Sequence, residues 1–260
     1  MTFNPSNAAA FIVDAHKLRA PYQNLPEDIA PKTIAEAYAA QEALIPLWSA
    51  SKGKVAGLKI ATTTKIMQQL MGIDHPCGGL IFERTVHISP ATIKKQDFLN
   101  VVAECELSVR LGQDLPPKAT PYTRDDVLKA IAAVMPAFEL IEDRLAVYNE
   151  SRALSLIADN AWNGGIVIGA PVAPPKTVAA FDGIEGILSI DGKNQQSGKT
   201  DDPLGALAWV ANLAIERGRP MTAGMVVITG SVIPTLPIPP GQIFEFSLTG
   251  LGSVRMVGAD

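Results

Sequence analysis

Two hydrophobic periodicities divide this chain into a helical beginning and a strand-rich remainder. In residues 6–20 apolar side chains recur every three or four positions, which predicts a helix with one buried face. After a connection at residues 21–31, Thr33-Ile34-Ala35-Glu36 has the form of a capping box. It predicts a second helix that runs to about Trp48 and is stopped by Gly53. Residues 1–53 are therefore predicted to form an N-terminal helical region.

From Lys54 onward, short apolar runs are separated by Gly and Pro, as in strands joined by turns. The predicted strands are 55–60, 79–82, 85–88, 101–109, 136–142, 165–169, 186–190, 225–229, 242–248 and 253–257. Helices are predicted at 64–71 and 203–217, and a helical pattern also lies between the strands at 101–109 and 136–142. Many short strands with few helices favour a β-rich α+β fold over a doubly wound sheet, with residues 54–260 as the main domain.

Three acidic residues lie inside predicted strands. Glu104 and Glu106 belong to the strand 101–109 and Glu139 belongs to 136–142, so apolar and β-branched residues flank all of them. Residues two apart share one face of a strand, so Glu104 and Glu106 point the same way and Cys105 points the opposite way. A second strand can bring Glu139 to the same place. Burial and mutual repulsion oppose the ionisation of three such carboxylates unless something compensates their charge.

Two interpretations of this acidic pattern are open. An acidic pair two residues apart is common, and on an edge strand it is usually a solvated face; the pattern alone favours this interpretation. The other is a divalent cation, for which all-oxygen ligands indicate Mg²⁺ or Mn²⁺. The apolar neighbours of the three glutamates count in favour of the metal site.

Two further charged residues have unusual positions. Lys59 lies within the apolar strand 55–60, where it either faces solvent, pairs with one of the acids, or binds a substrate carboxylate or enolate and moves a proton. Asp74 follows Gly72 in a loop after a predicted helix end. Aspartates in turns most often bond the backbone, and a role near the substrate is the alternative.

The segment 157–165, Ile-Ala-Asp-Asn-Ala-Trp-Asn-Gly-Gly, is the third unusual stretch. The adjacent Gly164 and Gly165 precede an apolar strand, where they allow a tight turn or a close backbone approach to a ligand. The sequence contains no phosphate-binding glycine motif and no G-x-S-x-G nucleophile motif. The segment therefore indicates a ligand-facing loop without pointing to nucleotide or serine chemistry.

Composition narrows the class of partner. The 260 residues are 47% hydrophobic and 18% charged, which is typical of a globular chain with a large core. A net charge of −4 argues against nucleic acid and anionic membranes as main partners. With no 18-residue apolar run and no signal-peptide pattern at the N-terminus, a cytoplasmic location is expected. Cys77 and Cys105 are predicted to be packing residues.

An ordered set of short motifs resembles the 2-keto-4-pentenoate hydratase and 4-oxalocrotonate decarboxylase branch of the fumarylacetoacetate hydrolase superfamily. The set spans nearly the whole chain, from Tyr38-x-x-Gln41 in the helical region to Gly250-Leu251-Gly252-Ser253-Val254. Between them lie Gly57-Leu58-Lys59-Ile60, Met67-Gln68, Gly72-Ile73-Asp74, Glu104-x-Glu106, Pro136-Ala137-Phe138-Glu139, Ala158-Asp159-Asn160-Ala161 with Gly164-Gly165, and Ala206-x-Ala208-Trp209-x-Ala211-Asn212. Each motif is weak alone, and their order is specific.

The resemblance implies a mixed β-roll core with a small helical region, a homo-oligomer, and Mg²⁺ or Mn²⁺ held by Glu104, Glu106 and Glu139. It also implies roles near the substrate for Lys59 and Asp74. The chain differs from the family pattern at two places. The acidic pair is preceded by Asn100-Val101-Val102-Ala103, and two small residues of the family are replaced by Trp162-Asn163. The second difference concerns the substrate pocket, which Trp162 would narrow.

The expected reaction is hydration of a short 2-hydroxydienoate to a 4-hydroxy-2-oxo acid. Lys59 would stabilise the enolate or shuttle protons, and Asp74 would activate water or orient Lys59. The expected substrate contacts are Asn160, Asn163, Gly164 and Gly165. The alternatives are decarboxylation of 4-oxalocrotonate, hydrolysis of an acylpyruvate, and a non-catalytic role as partner in a hydratase–decarboxylase complex.

Overall fold

In the computed structural model, residues 2–260 form two mixed β-sheets with helices packed against them. The helices are α1 (Pro5–Lys17), α2 (Ile34–Lys52), α3 (Lys65–Met71), α4 (Arg124–Ala130), α5 (Ala153–Ala158) and α6 (Pro203–Glu216). The strands are β1 (Val55–Ala61), β2 (Cys77–Phe82), β3 (Val86–Ile88), β4 (Ala91–Lys94), β5 (Val102–Leu111), β6 (Ile131–Ile141), β7 (Asn163–Ile168), β8 (Glu185–Ile190), β9 (Lys193–Lys199), β10 (Val226–Pro237), β11 (Ile243–Leu248) and β12 (Gly252–Ala259). Within this described range, no helix is both long enough and apolar enough to span a bilayer.

The larger sheet has the strand order β2-β1-β10-β5-β6-β7-β3, and the smaller has the order β4-β12-β11-β8-β9. Three pairs are parallel, β1 with β10, β3 with β7 and β4 with β12, and the others are antiparallel. This mixed topology confirms the predicted β-rich α+β class. It also places β5, which carries Glu104 and Glu106, in the middle of the larger sheet rather than at an edge.

The two N-terminal helices pack on the sheets through small and branched residues. Ala8, Ala9 and Ile12 of α1 are buried in the same hydrophobic cluster that contains Phe138 of β6 and Phe246 of β11. These two phenylalanines lie on different sheets, and their ring centroids are 6.2 Å apart. The helices and the sheets therefore share one core, and the division at residue 53 stays a prediction.

Local sequence explains where the helices begin and end. The Thr33 hydroxyl accepts a hydrogen bond from the Glu36 amide, as predicted for a capping box. The Glu36 carboxylate, however, accepts from the Lys32 amide instead of the Thr33 amide. Helix α1 ends at Lys17 instead of residue 20, because Arg19 adopts a left-handed conformation with φ 52°.

Strand β10 is the largest departure from the predicted elements. It extends from Val226 to Pro237, whereas the sequence predicted a strand only over 225–229. Its register against β5 shifts three times between Ile228 and Leu236, and Gly230 has φ 115°. These irregularities break the period-two pattern that identifies a strand in sequence. The bulge at Gly230 turns out to face the acidic residues of β5.

Candidate metal centre and active site

The three strand glutamates meet at one place in the larger sheet. Glu104 and Glu139 are directly opposite each other in the β5–β6 ladder, and Glu106 lies two residues along β5 on the same face. One carboxylate oxygen from each lies within 4.8 Å of the others. Glu106 and Glu139 are buried, whereas Glu104 is partly exposed. The cluster therefore opens to solvent on the side of Glu104.

Each buried glutamate has one oxygen held by the protein and one without a partner. The Gly230 amide donates to Glu106 Oε2 at 2.7 Å. The Asn163 side-chain amide and the Lys59 ammonium each approach Glu139 Oε1 at 2.9 Å. Glu106 Oε1 and Glu139 Oε2 are buried without a hydrogen-bond partner among the described residues. Unpartnered carboxylate oxygens are costly unless a cation binds them, so the donor set fits a hard divalent ion.

Glu104 completes the set from the solvent side. The Thr235 hydroxyl donates to Glu104 Oε1 at 2.6 Å. Thr235, like Gly230, belongs to the irregular part of β10, next to β5 in the sheet. Neither residue was expected to contact the site, and the Thr229-Gly230-Ser231 sequence alone indicates only a turn. The bulge in β10 thus supplies two donors that fix the orientation of the ligand carboxylates.

The pKa shifts in the cluster have the directions expected of buried carboxylates with too little positive charge beside them. Burial, followed by repulsion from Glu139 and Glu104, raises the pKa of Glu106 well above its ordinary value. Burial also raises the pKa of Glu139, against the opposing attraction of Lys59. Burial alone would lower the pKa of Lys59, but Glu139, Glu104 and Glu106 raise it more, so its ammonium stays charged. When all three carboxylates are ionised, they and the one ammonium carry a net charge of −2, which a divalent cation neutralises.

Lys59 faces the cluster and not solvent. Its side chain is buried, and its ammonium contacts Glu139 and the backbone carbonyl of Ala161, the latter at 3.1 Å. The structure therefore excludes a solvent-facing lysine and shows pairing with an acid, while a role of Lys59 toward the substrate stays a prediction. An ammonium has three N–H donors, so one remains for a ligand.

The segment 159–165 borders the site, and its residues have different surroundings. Asn163 donates to Glu139, as described above. Both polar groups of the Asn160 side chain are bonded to the Leu80 backbone, at 2.6 and 2.9 Å, so the protein holds this side chain from both ends of its amide. At Gly165, where φ is 146°, a Cβ atom would lie 2.6 Å from the Thr85 carbonyl oxygen. Gly165 thus permits the close packing of backbone between β7 and its neighbours.

Trp162 is buried next to aromatic residues rather than free to move. Its ring lies edge-on to Tyr22 and Tyr148, with centroid distances of 4.9 and 5.2 Å. The Tyr148 hydroxyl donates to Asp143 Oδ2 at 3.1 Å. Trp162 therefore packs in an aromatic cluster directly before Asn163, which donates to Glu139.

Asp74 lies apart from the carboxylates. It is exposed in the turn after α3 and borders an open cleft of about 1040 Å³, together with segments 30–34 and 149–155. Among the residues that the structure describes, its side chain makes no hydrogen bond or ion pair, and nothing connects it to Lys59. Of the residues predicted from sequence, the structure brings together Lys59, Asn163 and the three glutamates. It places Asp74 at the open cleft.

Comparisons with known proteins agree with this site. The family model described as fumarylacetoacetate (FAA) hydrolase C-terminal matches residues 75–257. This range contains all three clustered glutamates and most of the two sheets. The chain belongs to this family.

Similar proteins narrow the class within the family. The chain is 29% identical over 253 residues to a 2-keto-4-pentenoate hydratase of Paraburkholderia xenovorans (strain LB400), covering 95% of this chain and 92% of that protein. It is 30% identical over 240 residues to the TodF product hydratase of Pseudomonas putida (strain F1), covering 90% and 86%. The structure of 4-oxalocrotonate decarboxylase from Pseudomonas putida G7, complexed with magnesium and adipate, superposes with a TM-score of 0.87 at 24% identity over 98% and 97% of the two chains. The predicted superfamily branch is confirmed.

Proposed function

We propose that this protein is a divalent-metal-dependent hydratase that adds water to a short 2-hydroxydienoate of the 2-hydroxypenta-2,4-dienoate type. The observation that carries the proposal is the cluster of Glu104, Glu106 and Glu139, with two buried carboxylate oxygens that lack a partner. The similarity to proteins named 2-keto-4-pentenoate hydratase over almost the whole chain supports hydration as the reaction.

The residues that would hold the ion are Glu104, Glu106 and Glu139. A bound Mg²⁺ or Mn²⁺ supplies Lewis acidity toward the carboxylate and the C2 oxygen of a 2-oxo acid. The donors at Gly230, Thr235 and Asn163 keep the carboxylates oriented before the ion arrives. Mg²⁺ is the first candidate, because hard all-oxygen sites of this kind are typical of it.

Lys59 is the candidate group for proton transfer. Conversion of the dienol to its ketone removes a proton from the C2 hydroxyl and adds one at C5. Addition of water to the resulting enone then places a hydroxyl at C4 and a proton at C3. The third N–H of Lys59 is available to the C2 oxygen, where it stabilises the developing enolate. The pairing with Glu139 holds this ammonium in place.

The remaining predicted residues keep narrower roles. Asp74 stays the candidate for activating the attacking water because of the family resemblance, although the cleft that it borders is not lined by Lys59 or the three glutamates. Asn160, Asn163, Gly164 and Gly165 stay the candidates for substrate contact, and the Asn160 side chain also bonds the Leu80 backbone. The homo-oligomer, the complex with a decarboxylase and the cytoplasmic location stay predictions.

The test is the reaction of purified protein with 2-hydroxypenta-2,4-dienoate, followed by ultraviolet absorbance and by NMR of the product. The proposal requires loss of the dienol signal, formation of 4-hydroxy-2-oxopentanoate, and inhibition by EDTA. Release of CO₂ from 4-oxalocrotonate, without any turnover of the dienoate, would instead assign the decarboxylase reaction. Turnover of neither, with a metal-binding site intact, would favour an acylpyruvate hydrolase or a non-catalytic partner.

A further inference from the structure

A short left-handed turn lies directly beside the candidate metal centre. Asn160, Ala161 and Trp162 follow one another with φ values of 54°, 46° and 56°. Residues with a side chain disfavour this conformation, and three in succession persist only where the surrounding structure holds them. The turn therefore needs a restraint that its own sequence does not provide.

The turn delivers two contacts to the site. The Ala161 carbonyl accepts a hydrogen bond from Lys59 at 3.1 Å. Asn163, the first residue after the turn, donates to Glu139 at 2.9 Å. If the turn relaxed, both Lys59 and Glu139 would lose a fixed neighbour at once.

Two different groups hold the turn. On one side the Asn160 side chain is bonded to both polar groups of the Leu80 backbone. On the other side is Asp159, the residue before the turn, which is only 3% exposed. Its Oδ1 lies 2.8 Å from His16 Nε2, and its Oδ2 accepts a hydrogen bond from the buried Arg144 guanidinium.

One of the two partners of Asp159 comes from the N-terminal helical region. His16 belongs to α1, where its ring lies edge-on to Trp48 at 5.4 Å and its Nδ1 lies 3.7 Å from Glu142. Arg144 also reaches back to the Ala20 carbonyl at 3.4 Å. In the described part of the chain, His16, Arg144 and Asp159 form no hydrogen bond or ion pair with the three clustered glutamates.

We infer that Asp159, held by His16 and Arg144, is a positioning clamp that keeps the Asn160–Trp162 turn left-handed and thereby aligns Lys59 and Glu139. The inference rests on the proposed function for its consequence at the metal centre, but the link from clamp to turn stands on geometry alone. His16 and Arg144 are thus positioning residues and not catalytic ones. The helical region of the chain contributes to the active site without touching the substrate.

The test compares His16→Ala, His16→Gln and Asp159→Asn with the wild-type protein. Hydrogen–deuterium exchange measures the opening of residues 159–163, and titration with Mn²⁺ followed by electron paramagnetic resonance measures the affinity of the centre. Glu42→Gln is the matched control, since Glu42 also pairs with arginines at a partly buried position, Arg217 and Arg219, away from the turn.

In His16→Ala and Asp159→Asn, we expect faster exchange confined to 159–163 and Mn²⁺ affinity weaker by about tenfold, the usual loss when an outer partner of a metal ligand is removed. His16→Gln restores a donor toward Asp159 and should recover most of both losses, while Glu42→Gln should show neither. Unchanged exchange at the turn, or wild-type Mn²⁺ affinity despite an open turn, would overturn the inference. If His16→Ala does not fold, Asp159→Asn and His16→Gln decide. Absence of Mn²⁺ binding in the wild type would contradict the proposed function instead, and the exchange data would then decide the clamp.

Discussion

The Nζ atom of Lys59 lies 2.9 Å from Oε1 of Glu139, although two other strands separate β1 from β6 in the sheet. Neighbouring strands are about 4.8 Å apart, so the two side chains meet across roughly 14 Å of sheet. The strand between them that adjoins β6 is β5, which carries Glu104 and Glu106. The ion pair therefore spans the place where the candidate metal ligands emerge.

Replacing Lys59 by Met should abolish most of the activity while leaving the ligand carboxylates in place. The ammonium is the group placed to stabilise the enolate, and loss of such a group typically costs about 10²- to 10⁴-fold in rate. Steady-state kinetics on the dienoate measures the effect. Lys54→Met is the control, because Lys54 is exposed directly before β1 and pairs only weakly with Glu83, at 4.0 Å. Equal losses in both variants would remove Lys59 from the mechanism.

Glu106→Gln should have opposite effects on stability without and with the metal. In the metal-free protein, Gln removes the cost of ionising this buried carboxylate beside Glu104 and Glu139. The melting temperature should therefore rise at a pH above the pKa of Glu106, which burial and these neighbours raise. In the wild type, an ion at 100 times its Kd adds about 2.7 kcal/mol of stability, and the variant should lose this gain. Thermal unfolding with EDTA and with Mg²⁺ measures both. Glu245→Gln, on the exposed face of β11, should show neither change.

Gly230→Ala should weaken metal binding as well as folding. The residue has φ 115° and donates its amide to Glu106, so a side chain disfavours the conformation that aims this N–H group. We expect a loss of about 1–3 kcal/mol in the free energy of unfolding. Gly224→Ala provides the matched control, because Gly224 has φ 89° and nothing within 4 Å of the added Cβ. Both variants should lose stability, but only Gly230→Ala should lose Mg²⁺ affinity; calorimetric titration distinguishes them.

The stability of the protein should fall as the pH rises above about 6.5, because of His16. Burial opposes protonation of His16, but Asp159 and Glu142 raise its pKa above the ordinary value in spite of burial and of the nearby Arg144. A group with a raised pKa in the folded state stabilises the protein fully below its unfolded pKa, and this stabilisation is lost as the pH rises through the folded pKa. Asp159 and Glu142, whose pKa values are lowered, remain ionised throughout this window.

Urea unfolding between pH 6 and 9 measures this dependence, and His16→Gln should make the decline less steep. The pKa of Glu106 is also raised, so Glu106 contributes to the decline in both proteins, and the difference between them isolates His16. His87 has the opposite effect, because burial lowers its pKa and its contribution is lost only as the pH falls below its unfolded value. The variant His87→Gln should therefore keep the decline above pH 6.5. An equally steep decline in His16→Gln would assign it to other groups.

The sequence was sufficient to predict that Glu104 and Glu106 share one face of a strand, because residues two apart in a strand point the same way. The structure places Glu139 directly opposite Glu104, whereas the binding of a metal by these residues stays a prediction. The sequence was also sufficient for α2, α3 and α6, which lie where their patterns predicted helices, and the cap of α2 at Thr33 has a clear signal. What it could not predict were the contacts set by the order of the strands. Lys59 meets Glu139 only because the strands lie side by side in the order β1, β10, β5 and β6 across the sheet.

The residues that hold the glutamates and the Asn160–Trp162 turn in place could not be predicted for the same reason. Gly230 and Thr235 donate to the glutamates from the bulged part of β10. The hydrophobic pattern of this segment is irregular, and its small residues predict a turn instead of a strand. Asp159 carries no motif that distinguishes a clamp from a helix-end aspartate, and its partners His16 and Arg144 come from distant parts of the chain. A lone His in an amphipathic helix gives no signal of such a role.

The most direct measurement is a titration of metal-free protein with Mn²⁺ in which bound ion, by electron paramagnetic resonance, and the rate of loss of 2-hydroxypenta-2,4-dienoate are followed together. We predict that both rise in parallel and saturate at about one ion per chain, as expected for a single site of three carboxylates. We also predict that Glu106→Gln shows neither rise. Full turnover of the dienoate in EDTA, or saturation of the glutamate site without any turnover, would contradict the assignment of a metal-dependent hydratase.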